Sequence, residues 1–303
     1  MRVLRTLFLL MSVASCPFVM SGKATKTAKS HVDEVSMMIG TDGSHETEYG
    51  GTTPAVGSPF AMTQWCAATR LNGISRTMYR RCDSVLIGFM GTHQPAIWMG
   101  DYGFMTLMPQ SGELKIKATD RQVRLDHGKE VATPYYYKVY LADHDVTAEF
   151  APTERAAAFR FTFPETEEAY VVVDAMDNGS FVKIIPAEKK IIGYTTKNSG
   201  GVPSNFKNYF VLQFDKPFTY TAAVKDGKID SRTTEAGANH AGGIIGFHTL
   251  RGEQVNVRVA SSFISHEQAE LNLKELGGRT LEEVAKAGRD EWNRVLGRIE
   301  VQD

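Results

Sequence analysis

Between Ile39 and Pro109 the chain collects residue types suited to a hydroxyl-rich ligand, in an order that follows neither strand nor helix periodicity. Ile39-Gly40-Thr41-Asp42-Gly43 opens the stretch. Gly50-Gly51-Thr52-Thr53-Pro54-Ala55-Val56 and Pro59-Phe60-Ala61-Met62-Thr63-Gln64-Trp65 follow, and Gly91-Thr92-His93-Gln94-Pro95-Ala96-Ile97-Trp98-Met99-Gly100-Asp101-Tyr102-Gly103 closes it. Glycine lets backbone approach a ligand closely. Trp and His supply flat faces and hydrogen-bonding edges, and a sugar uses both, because it has C–H faces to stack and hydroxyls to pair. Thr41, Asp42, Thr92, His93, Trp98 and Asp101 are therefore the candidate ligand contacts. Each has a plainer role open to it. A Trp is commonly core, a His commonly a satisfied structural group, and an Asp before Tyr-Gly commonly caps a turn.

Other chemistries find less support. Asp42-Gly43 resembles the start of a calcium loop, but further carboxylates at regular spacing do not follow, so no metal is expected here. The chain has no nucleotide loop, no H-E-x-x-H and no G-x-S-x-G. Of three cysteines, Cys66 and Cys82 fall within the folded part, no C-x-x-C occurs, and both are expected as free, mostly buried thiols. Lys and Arg number 34 against 35 Asp and Glu, so no basic excess exists to hold a phosphate backbone and nucleic acid is not an expected partner.

The elements that must position these residues read as β. Ala158-Phe159-Arg160-Phe161-Thr162-Phe163 and Gln254-Val255-Asn256-Val257-Arg258-Val259 alternate apolar and polar, which sets one face on a core and the other in water. Tyr170-Val171-Val172-Val173, Lys190-Ile191-Ile192 and Phe210-Val211-Leu212 are β-rich apolar runs. Asn178-Gly179 and Asp226-Gly227 favour the positive φ angles of tight hairpins. Residues 39–109, by contrast, show little alternation. The expected fold is all-β, a large antiparallel β-sandwich over 32–264. Ser265-His266-Glu267-Gln268 and Thr280-Leu281-Glu282-Glu283 have capping-box spacing and start two helices. Gly277-Gly278 stops the first, and Leu281, Val284, Ala285, Trp292, Val295 and Leu296 form the apolar stripe of the second, within a helical linker over 265–303.

The amino terminus reads differently again. Met1-Arg2-Val3-Leu4-Arg5 precedes the apolar run Leu7-Phe8-Leu9-Leu10-Met11-Ser12-Val13-Ala14, the layout of a secretory signal over 1–22. The run is too short for a membrane span. Val13-Ala14-Ser15-Cys16 resembles a bacterial lipobox with Cys16 as the lipidated residue, and cleavage near Ser21 or Gly22 is the alternative. Residues 23–31, polar and lysine-rich, read as a tether. Export follows, to the periplasm or to an outer-membrane lipoprotein anchor, or by simple secretion.

Taken together these phrases resemble family 92 glycoside hydrolases, from about Val32 to Val301. Besides the stretches above, Glu130-Val131-Ala132-Thr133-Pro134-Tyr135-Tyr136-Tyr137-Lys138-Val139, Ser261-Ser262-Phe263-Ile264-Ser265 and Glu291-Trp292-Asn293 through Arg298-Ile299-Glu300-Val301 carry the likeness. The chain departs from the family pattern at Ser36-Met37, where Asn-Pro is usual, at Ala61, commonly Gly, and at Tyr79-Arg80-Arg81-Cys82, where a Tyr-His-Tyr phrase is common. The resemblance implies a galactose-mutarotase-like super-sandwich joined by helices to an (α/α)6 barrel. It also implies a calcium-dependent, inverting exo-α-mannosidase whose acid, base and calcium ligands sit in the barrel. It makes this chain the amino-terminal carbohydrate-binding part, with α-mannosides or other N-glycan-type carbohydrate as ligand and the barrel as missing partner. No cofactor of its own and no turnover alone are expected. Asp42, Glu46, Glu48, Asp83 and Asp101 are the carboxylates near the candidate contacts. A free-standing carbohydrate-binding surface lipoprotein and a purely structural sandwich are the competing readings.

Overall fold

The computed structural model describes residues 30–42, 51–71, 73–74, 76–93, 99–103 and 105–300. The signal segment, Cys16 and nearly all of the tether lie outside them, as does Trp98.

In chain order the strands are β1 (Gln64–Ala68), β2 (Val85–Leu86), β3 (Gly88–Thr92), β4 (Thr106–Ser111), β5 (Val123–Arg124), β6 (Val131–Thr133), β7 (Tyr136–Leu141), β8 (Val146–Pro152) and β9 (Ala156–Phe163). They continue as β10 (Thr166–Asp174), β11 (Ser180–Ile185), β12 (Lys190–Thr195), β13 (Asn208–Phe214), β14 (Tyr220–Lys225), β15 (Lys228–Asp230), β16 (Glu235–Ala238), β17 (Ala241–Thr249) and β18 (Glu253–Ser262). Seven form one antiparallel sheet, ordered β1-β3-β4-β10-β17-β14-β15, nine form a second, ordered β16-β11-β12-β13-β18-β9-β8-β7-β6, and β2 pairs with β5 in a separate two-stranded ribbon.

The sheets share one core of aromatic rings. Phe89 of the smaller sheet meets Tyr137, Phe150, Phe159 and Phe161 of the larger at centroid separations of 5.8–6.4 Å. β9 shows how the alternation works: Phe159, Phe161 and Phe163 are buried while Arg160 and Thr162 between them are not. The same strand begins Ala156-Ala157-Ala158 because its outer face is also covered. Ala151, Ala156, Ala158, Val211 and Ala260 form a second apolar cluster with Ala269, Leu276, Leu281 and Val284 of the helical segment. Small side chains on the sheet let the helices come close.

Those helices are α1 (His266–Leu273) and α2 (Leu281–Leu296). Ser265 Oγ accepts from Gln268 N, and Thr280 and Glu283 complete a reciprocal capping box. Gln268 does not return the favour at its own cap, since its amide bonds Asn272 instead. The stripe of α2 is buried at Leu281 and Val284 and half-buried at Trp292, Val295 and Leu296. Trp292 Nε1 donates to Gly57 O at 2.8 Å. The start of the domain also packs here, with Val32 N donating to Asn293 Oδ1 at 3.0 Å and Arg289 paired to Asp33 at 2.7 Å.

Three expectations change. The 39–109 stretch contains β1, β3 and β4, which lack alternation because almost every residue in them is buried, on both faces. Asp226-Gly227 does close the β14–β15 hairpin, but Asn178-Gly179, although both have positive φ, carries the chain from one sheet to the other. Cys66 is a buried free thiol, and Cys82 is exposed rather than buried.

Candidate functional site

The ends of both sheets gather at one rim of the sandwich. The pairings Met90↔Thr106, Asp174↔Thr106, Thr195↔Asn208 and Tyr209↔Ser262 bring the loops after β3, β12 and β18 together there. Asp101 organises them. Its side chain is fully buried, and Oδ1 accepts from His93 N at 3.0 Å and from Tyr102 N at 2.7 Å. Asp101 N donates to Ser199 Oγ at 3.0 Å, Gly103 N to Lys197 O at 2.6 Å, and Asn208 Nδ2 to Gly103 O. A loop of the smaller sheet is thus tied to a loop of the larger.

His93 sits on this frame. Its ring meets Phe263 edge to face at 5.0 Å, and Nε2 lies 3.4 Å from Ser261 Oγ, which is 2.9 Å from Thr63 Oγ1. Burial pushes the imidazole down from its ordinary value, with the Asp101 charge opposing only in part. The ring is therefore neutral near pH 7 and offers one nitrogen as acceptor. Among the described residues, His93 Nδ1, Thr92 Oγ1 and Asn208 Oδ1 are buried without a hydrogen-bond partner. Such atoms are rare in folded proteins, and three in one loop cluster call for a polar ligand or solvent to meet them.

Of the other predicted contacts, Trp98 lies outside the described residues, and Thr41 is held by a different segment. Thr41 is buried, its hydroxyl donating to Met38 O at 2.9 Å and its carbonyl accepting from Arg81 N. Asp42 is exposed. Beside them lies a polar knot around Glu130, whose buried carboxylate accepts from Tyr79 at 2.9 Å, Tyr137 at 2.7 Å and His127 Nδ1 at 2.7 Å. Burial and the Glu130 charge push both phenols far above their usual range, so they stay donors. The Tyr79 phrase, which departs from the family pattern, thus serves an internal network.

Sequence reasoning did not single out Asn208 or Ser199, which lie in no quoted phrase, or Thr63, which lies within the Pro59–Trp65 phrase but was not among the candidate contacts. It also passed over Phe60. Ala61 N donates to Ser58 O at 3.1 Å, closing a turn with Pro59 and Phe60 at its centre, and Phe60 has φ 64° with 88% of its surface exposed. Cavities form elsewhere, among them one of about 250 Å³ beside Asp174 and His240 and one of about 680 Å³ beside Arg70, Arg76 and Arg80, and neither of these is lined by Thr92, His93 or Asp101. Among the described residues no group of three His, Cys, Asp or Glu side chains is placed to hold a metal. No helix among them is long and apolar enough to cross a membrane.

A two-sheet sandwich closed by two linker helices, with a polar loop cluster at one rim, is the architecture found at the front of certain glycoside hydrolases. Residues 34–262 match the glycosyl hydrolase family 92 N-terminal domain. A family GH92 inverting mannosidase from Bacteroides thetaiotaomicron VPI-5482 superposes with a TM-score of 0.86 at 37% identity, over 92% of this chain and 38% of that one. A family GH92 α-mannosidase from Bacteroides thetaiotaomicron gives 0.80 at 30% identity, over 91% and 39%. No curated protein matches. The chain belongs to glycosyl hydrolase family 92, of which residues 34–262 are the N-terminal domain. It spans roughly two fifths of the length of these solved relatives.

Proposed function

We propose that this domain supplies the sandwich side of an α-mannoside site, with His93, Thr92 and Trp98 as contacts and Asp101 holding their loop. The observation that supports it is the set of unpaired buried atoms, His93 Nδ1, Thr92 Oγ1 and Asn208 Oδ1, on loops that Asp101 locks together. The same reading leaves the acid–base chemistry, and the calcium that the family resemblance implies, to the part of the relatives that this chain does not match. An inverting glycosidase needs two carboxyl groups on either side of the scissile bond, about 6.5–9.5 Å apart. Asp101, committed to backbone amides, is an organiser rather than one of that pair. The protein is exported, with Cys16 as lipid anchor.

The test is calorimetric titration of the purified chain with an α-mannobiose, with and without calcium, beside His93→Ala and Trp98→Ala. Binding near millimolar is expected, about −4 kcal/mol, lost in both variants, with no mannose released. Binding unchanged in both variants would refute the site. Mannose release abolished by one carboxylate substitution in this chain would refute its inactivity alone.

A further inference from the structure

Two buried hydroxyls stand in line with the His93 ring. Thr63 Oγ1 is 2.9 Å from Ser261 Oγ, and Ser261 Oγ is 3.4 Å from His93 Nε2. Thr63 is 2% exposed and Ser261 6%. Among the described residues neither hydroxyl makes another hydrogen bond. The Thr63 amide donates to Glu154 O, and the Ser261 backbone is taken by Arg155 O and Asn272 Nδ2.

Counting protons fixes the direction of both bonds. A hydroxyl carries one proton, and a buried one must place it on an acceptor. The acceptor open to Thr63 is Ser261 Oγ, and the acceptor then left to Ser261 is His93 Nε2. Nε2 therefore accepts, and the single proton of the neutral ring sits on Nδ1. This order leaves one buried atom unmatched, the Nδ1–H. The reverse order, with Nε2–H donating to Ser261 and Ser261 to Thr63, leaves two, the Thr63 proton and the Nδ1 lone pair. The cost of each unmatched atom decides between them. The surroundings agree. The Tyr102 backbone beside the ring favours a ring N–H, although no hydrogen bond closes at Nδ1. The ring is also held in place, because Phe263 meets it edge to face at 5.0 Å and is itself backed by Phe206 at 5.7 Å.

We propose that Thr63 and Ser261 form a hydroxyl relay that holds His93 as its Nδ1–H tautomer, so that His93 is a hydrogen-bond donor to an oxygen of the bound sugar. Thr63 and Ser261 are then positioning residues. The relay stands on its own, and its consequence for the ligand rests on the mannoside reading. The experiment is nitrogen-15 NMR of the His93 ring near pH 7, in the purified chain and in Ser261→Ala, Thr63→Val and Thr63→Ser, with α-mannobiose titrated into each. The original chain should show a proton coupled to Nδ1 and a bare Nε2. Ser261→Ala and Thr63→Val should move a share of the proton to Nε2, and Thr63→Ser, which keeps the hydroxyl, should restore the original pattern. Ser261→Ala should bind the disaccharide about fivefold more weakly, the size of one neutral hydrogen bond. If Ser261→Ala does not fold, Thr63→Val against Thr63→Ser makes the same comparison. A proton on Nε2 in the original chain, or one that stays on Nδ1 in both Ser261→Ala and Thr63→Val, overturns the relay. A tautomer that moves as described with disaccharide affinity unchanged, while His93→Ala still abolishes binding, overturns the donor role and leaves the mannoside reading standing. Failure of the original chain to bind α-mannobiose overturns that reading and the donor role with it, and leaves the relay to be decided by the NMR pattern alone.

Discussion

Replacing Asp174 by Asn isolates a buried charge network in the sandwich. Asp174 ends β10, and its carboxylate takes Arg121 Nη1 at 2.8 Å, His240 Nε2 at 2.7 Å and Met176 N at 3.0 Å. Arg121 is fully buried and also donates to Ile87 O at 2.9 Å, Ile116 O at 2.8 Å and Thr106 Oγ1 at 3.0 Å. It pins the segment between β4 and β5 across the smaller sheet. Asn is nearly isosteric but carries a donor pair where the second oxygen was. One face of the amide then opposes a guanidinium, donor against donor, and a buried cation loses its counter-charge. Breaking such a pair from one side typically costs about 3–5 kcal/mol.

The pH dependence gives an independent magnitude. Burial alone would raise the Asp174 carboxyl, but the His240 hydrogen bond and the Arg121 charge outweigh it and hold it at about 2. Against an unfolded value of about 3.9 this is worth about 2.5 kcal/mol. Because the folded value is depressed, that stability is present above about pH 4 and lost as pH falls toward 2. His240 moves the other way. Its hydrogen bond to Asp174 raises it, so its share is present below about pH 6.5 and lost as pH climbs through the raised value. His93 and His144 are lowered by burial and slope oppositely, so the diagnostic is the difference between the two proteins rather than either curve. Urea unfolding from pH 3 to 8 should show Asp174→Asn about 3 kcal/mol less stable between pH 4 and 6.5, with the gap narrowing on both sides. A gap under about 1 kcal/mol, or one that does not change with pH, would refute the account.

Three further outcomes are expected. Gly103→Ala places a Cβ on Asn208 at φ 68°, and should lower stability by about 2 kcal/mol or more in thermal melts while weakening mannobiose binding, since the same loop carries His93. Thr280→Ala removes half the α2 capping box and should cost about 1 kcal/mol in urea unfolding, with helicity by circular dichroism otherwise kept. Metabolic labelling with a fatty-acid analogue should mark the expressed protein and not Cys16→Ser, and equal labelling of both would exclude lipidation at that residue.

What could be read from the chain follows a physical division. β9 and β18 were legible because Phe159, Phe161, Val255 and Val257 face the core while Arg160 and Asn256 face outward, and period two survives only where the two sides of a strand differ. β1 and β3 were hidden for the opposite reason, since burial on both sides leaves no period to detect. Asn178-Gly179 revealed its backbone angles but not its destination, because positive φ describes a local bend while sheet partners are chosen by distant strands. The side-chain cap at Ser265 and the capping box at Thr280 were legible because every atom in them lies within four residues.

The same division separates the loop from the site. A phrase such as Thr92-His93 through Tyr102-Gly103 can be matched as a string, yet its geometry depends on Asn208, 105 residues from Gly103, and Ser261, 168 residues from His93. Asn208 lies in none of the matched phrases, and the phrase that Ser261 opens does not say which distant loop it meets. What these positions do carry is local conflict of their own. His93, Thr92 and Asn208 each hold a buried atom without a partner, and Phe60 holds a bulky ring at positive φ in open solvent. Elsewhere the sandwich pairs its buried charges, as at Asp174 and Glu130. Among the described residues buried polar atoms without a partner also occur at Thr53 and Trp65, but three of them, on Thr92, His93 and Asn208, fall in the loops that Asp101 ties together, and that concentration locates the candidate site more sharply than composition does.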